Sequence, residues 1–235
     1  MLSNKKLRER ARRLLDDDIF GKDWLKSVAV VAMMDLIVGA VAAVLLFVVN
    51  NPIITFLLKH FGYLSPKMVY VIPVVLYIVE LFGLNVLIGP LRVGLAHVHA
   101  NLVNGDETIR IKRFFMGFKN FKDNFVLGFM YMLHIGLWGL LFVVPGVYAF
   151  YNYSMIFRVK REHPEFTWKQ CFDESERLMT GHRLRLLWID LSFILMSIGA
   201  TVLTFFVGGI GIFWVNSYRQ VTIACFFQEI CEKAE

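Results

Sequence analysis

Long apolar segments alternate with short charged segments along this chain. Residues 27–58 contain one charged residue, Asp35, and residues 124–157 contain none. Such runs are longer than β-strands and most core helices, and about 20 apolar residues are enough for a helix to cross a bilayer. The pattern therefore predicts an all-α fold, a polytopic transmembrane helical bundle of six spans. We expect the spans at residues 28–49, 68–90, 125–144, 146–161, 184–206 and 212–230.

Three amphipathic segments precede the predicted hairpins. Residues 3–19 and 108–121 each have an apolar side and a basic side. The third segment begins at Thr167, with Gln170 at the spacing of a capping box, and ends at Gly181. We therefore expect three copies of a cytoplasmic amphipathic helix followed by a transmembrane hairpin, in a single membrane domain. The domain would cover residues 1–235, with repeat units 1–104, 105–162 and 163–235.

The first amphipathic segment, residues 3–19, has two possible positions. Its basic side can face anionic headgroups at the membrane surface, or the helix can dock on the cytoplasmic face of the protein itself. The sequence leaves both positions open. In either case Gly21 is suited to end this helix, because glycine is common just past a helix C-terminus.

The connection at Pro145-Gly146 decides the topology. Pro145 either kinks one long helix or opens a tight hairpin turn into a short fourth span. With a hairpin, most of the 25 Lys and Arg residues lie on one side of the membrane. A single kinked helix would instead place the basic residues of 158–185 outside, against the positive-inside rule. We therefore expect the hairpin, cytoplasmic N- and C-termini, and a multi-pass protein of the cell membrane.

Composition supports a membrane location. The chain is 57% hydrophobic and 19% charged, whereas soluble proteins contain roughly 25% charged residues. The net charge of +6 comes from basic residues beside apolar spans, which is typical of membrane topology and argues against a nucleic-acid partner. We expect the lipid bilayer as a partner, with its anionic headgroups, and the sequence is also compatible with an unidentified protein partner.

The chain carries no motif of a known catalytic or metal site. Cys171, Cys225 and Cys231 lack metal-binding spacing and are expected to be free thiols. His97 and His99 are two residues apart, so on a helix they point in different directions. A phosphate-binding loop, a His-Glu-x-x-His motif and a nucleophile elbow are also missing from the sequence. We expect no metal and no cofactor, and we predict no catalytic residues.

Ionisable residues inside spans are costly and are therefore candidates for function. Five of them are candidates, with Glu80 and Arg219 near mid-depth and Asp190 nearer the cytoplasmic interface. An ion pair of Arg219 with Glu80 or Asp35 would relieve the cost of burial. Such a polar seam could serve proton-coupled transport or bind a small polar ligand, or it could be a structural lock between helices. The candidate seam is Asp35, Glu80, His134, Asp190 and Arg219.

Basic residues beside the spans are candidates for contact with lipid headgroups. One group follows the third amphipathic segment and another lies in the second. The candidates are His182, Arg183, Arg185, Arg110, Lys112 and Arg113.

Short motifs follow one another from residue 88 onward. They are Ile88-Gly89-Pro90-Leu91-x-x-Gly94-Leu95, Gly117-Phe118-Lys119-Asn120-Phe121, Pro145-Gly146-Val147, Tyr153-Ser154-Met155, Ser175-x-x-Leu178-Met179-x-Gly181-His182, Leu191-Ser192-Phe193, and Gly209-Ile210-Gly211 with Trp214 and Tyr218. In their order and spacing they resemble a bacterial integral-membrane family known only as domain of unknown function nine-seven-five, over roughly residues 85–230. The resemblance implies a multi-pass membrane protein and supplies no activity.

These observations favour a non-enzymatic membrane-organising or interaction protein. A small transporter or channel that uses the buried Asp, Glu and Arg residues is the first alternative, and a polar cavity reaching those side chains would support it. A membrane enzyme acting on lipid is the second alternative. It would need a pocket at headgroup level near Asp190 and His182.

Overall fold

The computed structural model describes residues 3–16, 20–45, 66–105, 109–207 and 211–234, with five single positions between residues 47 and 59. All regular secondary structure in these ranges is helical, which confirms the predicted all-α fold. In chain order the described elements are α1 (Asn4–Leu14), α2 (Lys22–Val44), α3 (Pro66–Val103), a 3₁₀ helix (Ile111–Phe118), α4 (Phe121–Leu141), α5 (Val143–Asn152), α6 (Ile156–Glu162), α7 (Trp168–Met179), α8 (Arg183–Val207) and α9 (Gly211–Ala234).

Three of the described helices are long and apolar enough to cross a membrane. They are α2, α4 and the Arg183–Val202 part of α8. Helix α3 is longer, with 38 residues, and is also rich in apolar residues. The chain thus has helices suited to a membrane protein, whereas the number of spans and their arrangement in hairpins stay predictions.

Buried side chains are concentrated in one half of the helical bundle, which we call the base. The base contains α1, the 3₁₀ helix, α6, α7 and the adjoining halves of the long helices. Its core includes Val30, Leu127, Phe193 and Phe226, which are all fully buried or nearly so. Because these residues come from four different long helices, the base is a single packed core.

At the other end of the same helices, apolar side chains lie exposed. Leu140 is 85% exposed and Val144 is 79% exposed at the turn between α4 and α5. Leu36 on α2 and Ile198 on α8 are exposed as well. We call these ends the apolar tips. So extensive an apolar surface is unfavourable in water and is compatible with the hydrocarbon of a bilayer.

Helix α1 docks on the protein itself, which resolves the two positions left open by the sequence. Leu7, Ala11 and Leu15 are completely buried, and the helix packs against α9. The Arg10 guanidinium donates a hydrogen bond of 2.8 Å to the Gln228 side chain. The apolar stripe of α1 is therefore covered by protein, while the rest of its surface faces outward.

The junction between α1 and α2 differs from the prediction. Helix α1 ends at Leu14, and residues 17–19 lie outside the described ranges. Gly21 does not end α1 but precedes the first residue of α2. The Asp16 side chain accepts a hydrogen bond of 3.3 Å from the Asp23 backbone N–H, so an acidic residue binds one of the free amide groups at the start of α2.

The turn after α4 lies earlier than Pro145-Gly146. Helix α4 ends at Leu141, Phe142 is extended (φ −161°, ψ 154°), and Pro145 lies in the first turn of α5. Proline is tolerated there because amides of the first turn have no partner within the helix. A Cβ on Gly146 would lie 2.9 Å from the Gly139 Cα, so α5 packs directly on the backbone of α4.

The predicted fourth span, residues 146–161, is not one helix. Helix α5 ends at Asn152, and α6 begins at Ile156 after a three-residue break. Neither helix is long enough to cross a bilayer alone, since ten residues of α-helix span about 15 Å. A crossing at this point would need both helices and the break between them.

The second amphipathic segment forms a 3₁₀ helix, Ile111–Phe118, and not an α-helix over residues 108–121. Its backbone lies directly on α3. A Cβ on Gly117 would overlap the Pro90 carbonyl oxygen, and one on Gly94 would overlap the Phe114 carbonyl oxygen. The narrower 3₁₀ helix aligns residues three apart, which places Phe115 and Phe118 on one exposed edge.

The third amphipathic helix, α7, agrees with the prediction at both ends. Thr167 and Gln170 form the expected capping box. After the helix, Gly181 has a positive φ of 79°, and the following His182 N–H donates to the Met179 carbonyl at 3.0 Å. Glycine suits this left-handed position because it has no Cβ.

The glycine contacts between α3 and the 3₁₀ helix generate a stability prediction. Gly117→Ala and Gly94→Ala should each lower the free energy of unfolding by about 2 kcal/mol or more, because the added methyl group collides with backbone that cannot rotate away. Thermal unfolding in detergent measures the loss. Gly136→Ala in α4 is the matched control, since nothing lies within 4 Å of its Cβ position. Equal melting temperatures for Gly117→Ala and Gly136→Ala would contradict the packing.

Candidate functional site

Helices α8 and α9 run side by side in opposite directions, and their paired residues fix the register. The carboxylate of Asp190 accepts a 2.8 Å hydrogen bond from the Arg219 guanidinium, and these two groups form an ion pair. Near the start of α8, Arg185 forms a second ion pair with Glu229 at 2.9 Å. Asp190 and Arg219 therefore lie at the same level of the bundle, about 10 Å along α8 from its first residue.

The break between α5 and α6 places a second set of polar residues next to the start of α8. Ser175 on α7 accepts a hydrogen bond from the Met155 N–H at 3.3 Å and donates one to the Asn152 carbonyl at 2.8 Å. One buried hydroxyl thus satisfies two backbone groups, one on each side of the break. The Arg183 guanidinium donates to the Asn152 side chain at 2.9 Å. The break is a fixed feature that turns α6 toward the centre of the base.

A cavity of about 220 Å³ lies between seven of the described helices, next to the Asp190–Arg219 pair. The volume is smaller than the range of roughly 300–1,000 Å³ that is usual for drug-sized ligands. We call it the arginine cavity. Its polar lining residues are Arg92, Arg158, Arg219, Asp190, Tyr131, Ser154 and Gln220.

The arginine cavity has an excess of positive charge. Three guanidinium groups line it, and Asp190 is the one carboxylate among its described lining residues. The Arg158 guanidinium donates to the Gln220 side chain at 3.2 Å, which supplies no charge. The Arg92 guanidinium lies 5.3 Å from the centre of the Tyr131 ring, in cation–π contact. Since arginine does not lose its proton in proteins, the excess persists at any ordinary pH.

The structure brings together two of the five residues of the predicted seam. Arg219 pairs with Asp190, and not with Asp35, which lies exposed on α2. Glu80 belongs to α3, and its side chain lies outside the described residues. His134 lies among aromatic rings, with its imidazole centre 4.8 Å from that of Phe172. The expected difference in depth between Asp190 and Arg219 is wrong, because the last turns of α9 are buried in the base.

The predicted headgroup residues divide into three groups. Arg183 and Arg185 bind side chains of the base, and Arg183 also lies 4.4 Å from the centre of the Tyr148 ring. Arg110 and Lys112 are exposed at the 3₁₀ helix. The remaining two residues, His182 and Arg113, are half-buried.

Arg92 and Arg158 line the cavity but are absent from the sequence-based candidates. Both belong to groups of basic residues that we assigned to topology. Arg92 carried a signal, because it is the one Lys, Arg, Asp or Glu residue between residues 81 and 105. A single cation in so long an apolar helix is more consistent with burial against polar partners than with a solvated flank.

A further polar pair, Ser27 and His99, is buried in the base and does not line the cavity. The buried His99 ring is 2.9 Å from the Ser27 hydroxyl, and its other nitrogen is 3.1 Å from the Leu95 carbonyl. Burial, reinforced by the charge of Arg158, lowers the pKa of His99 to about 4. The ring is therefore neutral near pH 7 and joins α3 to α2 as a hydrogen-bonding group.

The three cysteines are free thiols, as expected. Cys171 is completely buried in α7, and burial raises its pKa to about 11. A thiol with so high a pKa is almost entirely protonated at neutral pH and is a poor nucleophile. Among the residues that the structure describes, no group of three or more His, Cys, Asp and Glu side chains could hold a metal ion.

The Asp190–Arg219 pair generates a second prediction. Asp190→Asn removes the one carboxylate beside three guanidinium groups and should lower the free energy of unfolding by about 1–3 kcal/mol, with the lower part of this range allowing for the partial exposure of Arg219. Asp173→Asn on the exposed face of α7 is the control and should change stability by less than about 0.5 kcal/mol. Thermal unfolding in detergent compares the variants. Equal melting temperatures for both would contradict the account of the pair.

Comparison with known proteins identifies the C-terminal part of the chain. No curated protein and no solved structure matches the sequence. A family model described as "Protein of unknown function (DUF975)" matches residues 140–234. The matched region contains the α5–α6 break and both partners of the Asp190–Arg219 pair. Over residues 140–234 the chain is therefore a match to the DUF975 family of unknown function, as its motifs indicated.

Proposed function

We propose that this chain is a multi-pass protein of the cell membrane that organises lipid or a protein partner at the cytoplasmic surface and is not an enzyme. In this proposal the apolar tips lie in the bilayer and the base lies at its inner surface. The six spans, the three hairpins and the cytoplasmic termini belong to the same proposal. Anionic lipid is the first partner that it names.

One observation carries the lipid part of the proposal, an exposed aromatic and basic strip at the 3₁₀ helix. The rings of Phe115, Phe118 and Phe121 follow one another with centres 6.4 Å and 6.3 Å apart. All three side chains are exposed, between 41% and 52%. Exposed basic residues accompany them, namely Arg110, Lys112, Lys119 and Lys122.

This combination suits the interface of a bilayer. Aromatic rings are favourable at the boundary between headgroups and acyl chains, and basic side chains attract anionic headgroups. The strip leads directly into α4, one of the helices long enough to cross a membrane. The placement supports a contact at the inner surface, where the predicted topology puts the start of this helix.

Transport is a second candidate, and the arginine cavity is the observation that favours it. The cavity reaches Asp190 and Arg219, two residues of the predicted seam. A path through the bilayer would also need polar groups beyond the cavity, and Asp35 and Glu80 are the remaining carboxylates of the predicted seam. A lipid-acting enzyme has less support, because the cavity lining includes Asp190 but not His182.

The basic residues of the strip generate a third prediction. The variant Arg110→Gln, Lys112→Gln and Lys119→Gln should retain several-fold less phosphatidylglycerol relative to phosphatidylcholine than the unaltered protein. Each basic side chain near an anionic surface contributes about 1 kcal/mol. Mass spectrometry of lipid that co-purifies from mixed vesicles measures the ratio.

A charge-preserving variant separates charge from damage to the fold. Arg110→Lys with Lys112→Arg and Lys119→Arg should retain the ratio of the unaltered protein. If the glutamine variant keeps the same ratio, or if the unaltered protein shows no preference for phosphatidylglycerol, the lipid part of the proposal is wrong.

A further inference from the structure

The charged residues that line the arginine cavity do not neutralise one another. Arg92, Arg158 and Arg219 carry three positive charges, and Asp190 carries one negative charge. The remaining polar lining residues, Tyr131, Ser154 and Gln220, are uncharged. Two positive charges therefore remain in a cavity that is walled by helices of the base.

Such an excess is costly unless an anion offsets it. The three arginines are half-buried, so their guanidinium groups lose part of their solvation, and charges that lose solvation in proteins are usually paired or bind ions. Arg219 already has its carboxylate at 2.8 Å. Arg158 has a neutral amide as its partner at 3.2 Å, and Arg92 stacks on aromatic rings at 5.3 Å and 5.4 Å. The last two guanidinium groups thus retain N–H donors suited to an anion.

The size of the cavity and its guanidinium donors indicate which class of anion it can bind. Guanidinium groups match phosphate and carboxylate oxygens through paired N–H donors. A phosphate group presents several oxygens in different directions and carries up to two negative charges, which suits three arginines on three helices and an excess of two. A cavity of about 220 Å³ is below the range for drug-sized ligands, so it suits a single small group.

We propose that the arginine cavity binds one phosphate group, with Arg92 and Arg158 as its main donors. The group can arrive as free phosphate or as the headgroup of a phospholipid, and both present the same oxygens. This inference goes beyond the surface contact with anionic lipid, because it concerns an internal site formed by different residues.

The geometry of the α5–α6 break supports the proposal. The break sets Ser154 and Arg158 on the cavity wall, and Ser175 fixes it by binding the backbone on both sides. A continuous helix would carry Arg158 in a different direction relative to Asn152. The buried serine thus positions a cavity arginine without touching the cavity.

Thermal unfolding of the full chain in a maltoside detergent tests the site with inorganic phosphate. The melting temperature should rise with phosphate and saturate, because a ligand that binds only the folded state stabilises it. Sodium chloride at equal ionic strength is the reference. Arg92→Gln and Arg158→Gln should each raise the half-saturating phosphate concentration at least about tenfold. This is the effect expected for loss of a hydrogen bond from a charged donor. Arg177→Gln, an exposed residue that pairs with Glu174 on α7, should leave it unchanged.

A lipid arm of the same experiment identifies the source of the phosphate. Phosphatidic acid is compared with diacylglycerol of the same chains, which lacks only the phosphate. A rise with free phosphate supports a soluble anion as the source, and a rise with phosphatidic acid alone supports a lipid headgroup. No rise beyond sodium chloride or diacylglycerol in either arm overturns the proposal, as does an unchanged half-saturating concentration in both glutamine variants.

Chemical modification of arginine in the unaltered chain tests the proposal if the glutamine variants do not fold. Phenylglyoxal reacts with accessible arginine, and peptide mapping reports the rate at Arg92 and Arg158. The rate is compared with and without the phosphate source that raised the melting temperature. Slower modification of these two residues in its presence supports the site, and an unchanged rate overturns the proposal. The Lys112→Gln and Lys119→Gln changes should leave the phosphate effect intact, so failure of the surface contact and failure of the internal site are distinguishable.

Discussion

Three guanidinium groups and one carboxylate line the same cavity of the base, and the packing around them reflects the cost of removing charge from water. Arginine cannot become neutral, so its charge must be offset by partners in place. The Asp190–Arg219 pair joins α8 to α9, and the Arg158–Gln220 hydrogen bond joins α6 to α9. Arg92 brings α3 into the same group through the rings of Tyr131 and Phe157. These contacts therefore link α3, α6, α8 and α9 around the cavity.

Two kinds of backbone contact hold the elements at the distances that this cluster needs. Gly94 and Gly117 let α3 and the 3₁₀ helix touch without side chains between them. Ser175 stabilises the break that turns α6. The glycine contacts and the Ser175 hydrogen bonds set the backbone positions from which the arginine side chains extend. Toward the tips, by contrast, apolar side chains are left exposed, and a hydrocarbon environment would cover them.

The sequence predicts the helical class and the positions of the long helices well, because long apolar runs leave few other structures possible. It also predicts the capping box at Thr167 and the turn at Gly181, since both depend on local chemistry. The 3₁₀ helix and the break before α6 could not be predicted. Both depend on a distant partner, α3 in one case and Ser175 in the other, and hydrophobic periodicity contains no information about such partners.

The candidate site shows the same division. Asp190 and Arg219 stand out in the sequence as ionisable residues within apolar runs, and the structure pairs them. The structure pairs Arg219 with Asp190 and not with Asp35, and the predicted pairing with Glu80 involves a side chain outside the described residues. Arg92 and Arg158 were assigned to membrane flanks, since a basic residue near the end of an apolar run has the same local pattern whether it faces water or a cavity.

The central claim is that the base faces the cytoplasm and the apolar tips lie in lipid. Cysteines introduced one at a time at Glu165 and Ile198, in a chain with Cys231→Ser that keeps the buried Cys171 and Cys225, are tested with a membrane-impermeant maleimide on intact cells and on inverted vesicles, with the chain that lacks an introduced cysteine as the background. The account predicts that Glu165→Cys reacts in inverted vesicles only, and that Ile198→Cys, although exposed on the protein surface, reacts on neither side until detergent is added. Reaction of Glu165→Cys on intact cells, or of Ile198→Cys without detergent, would contradict it.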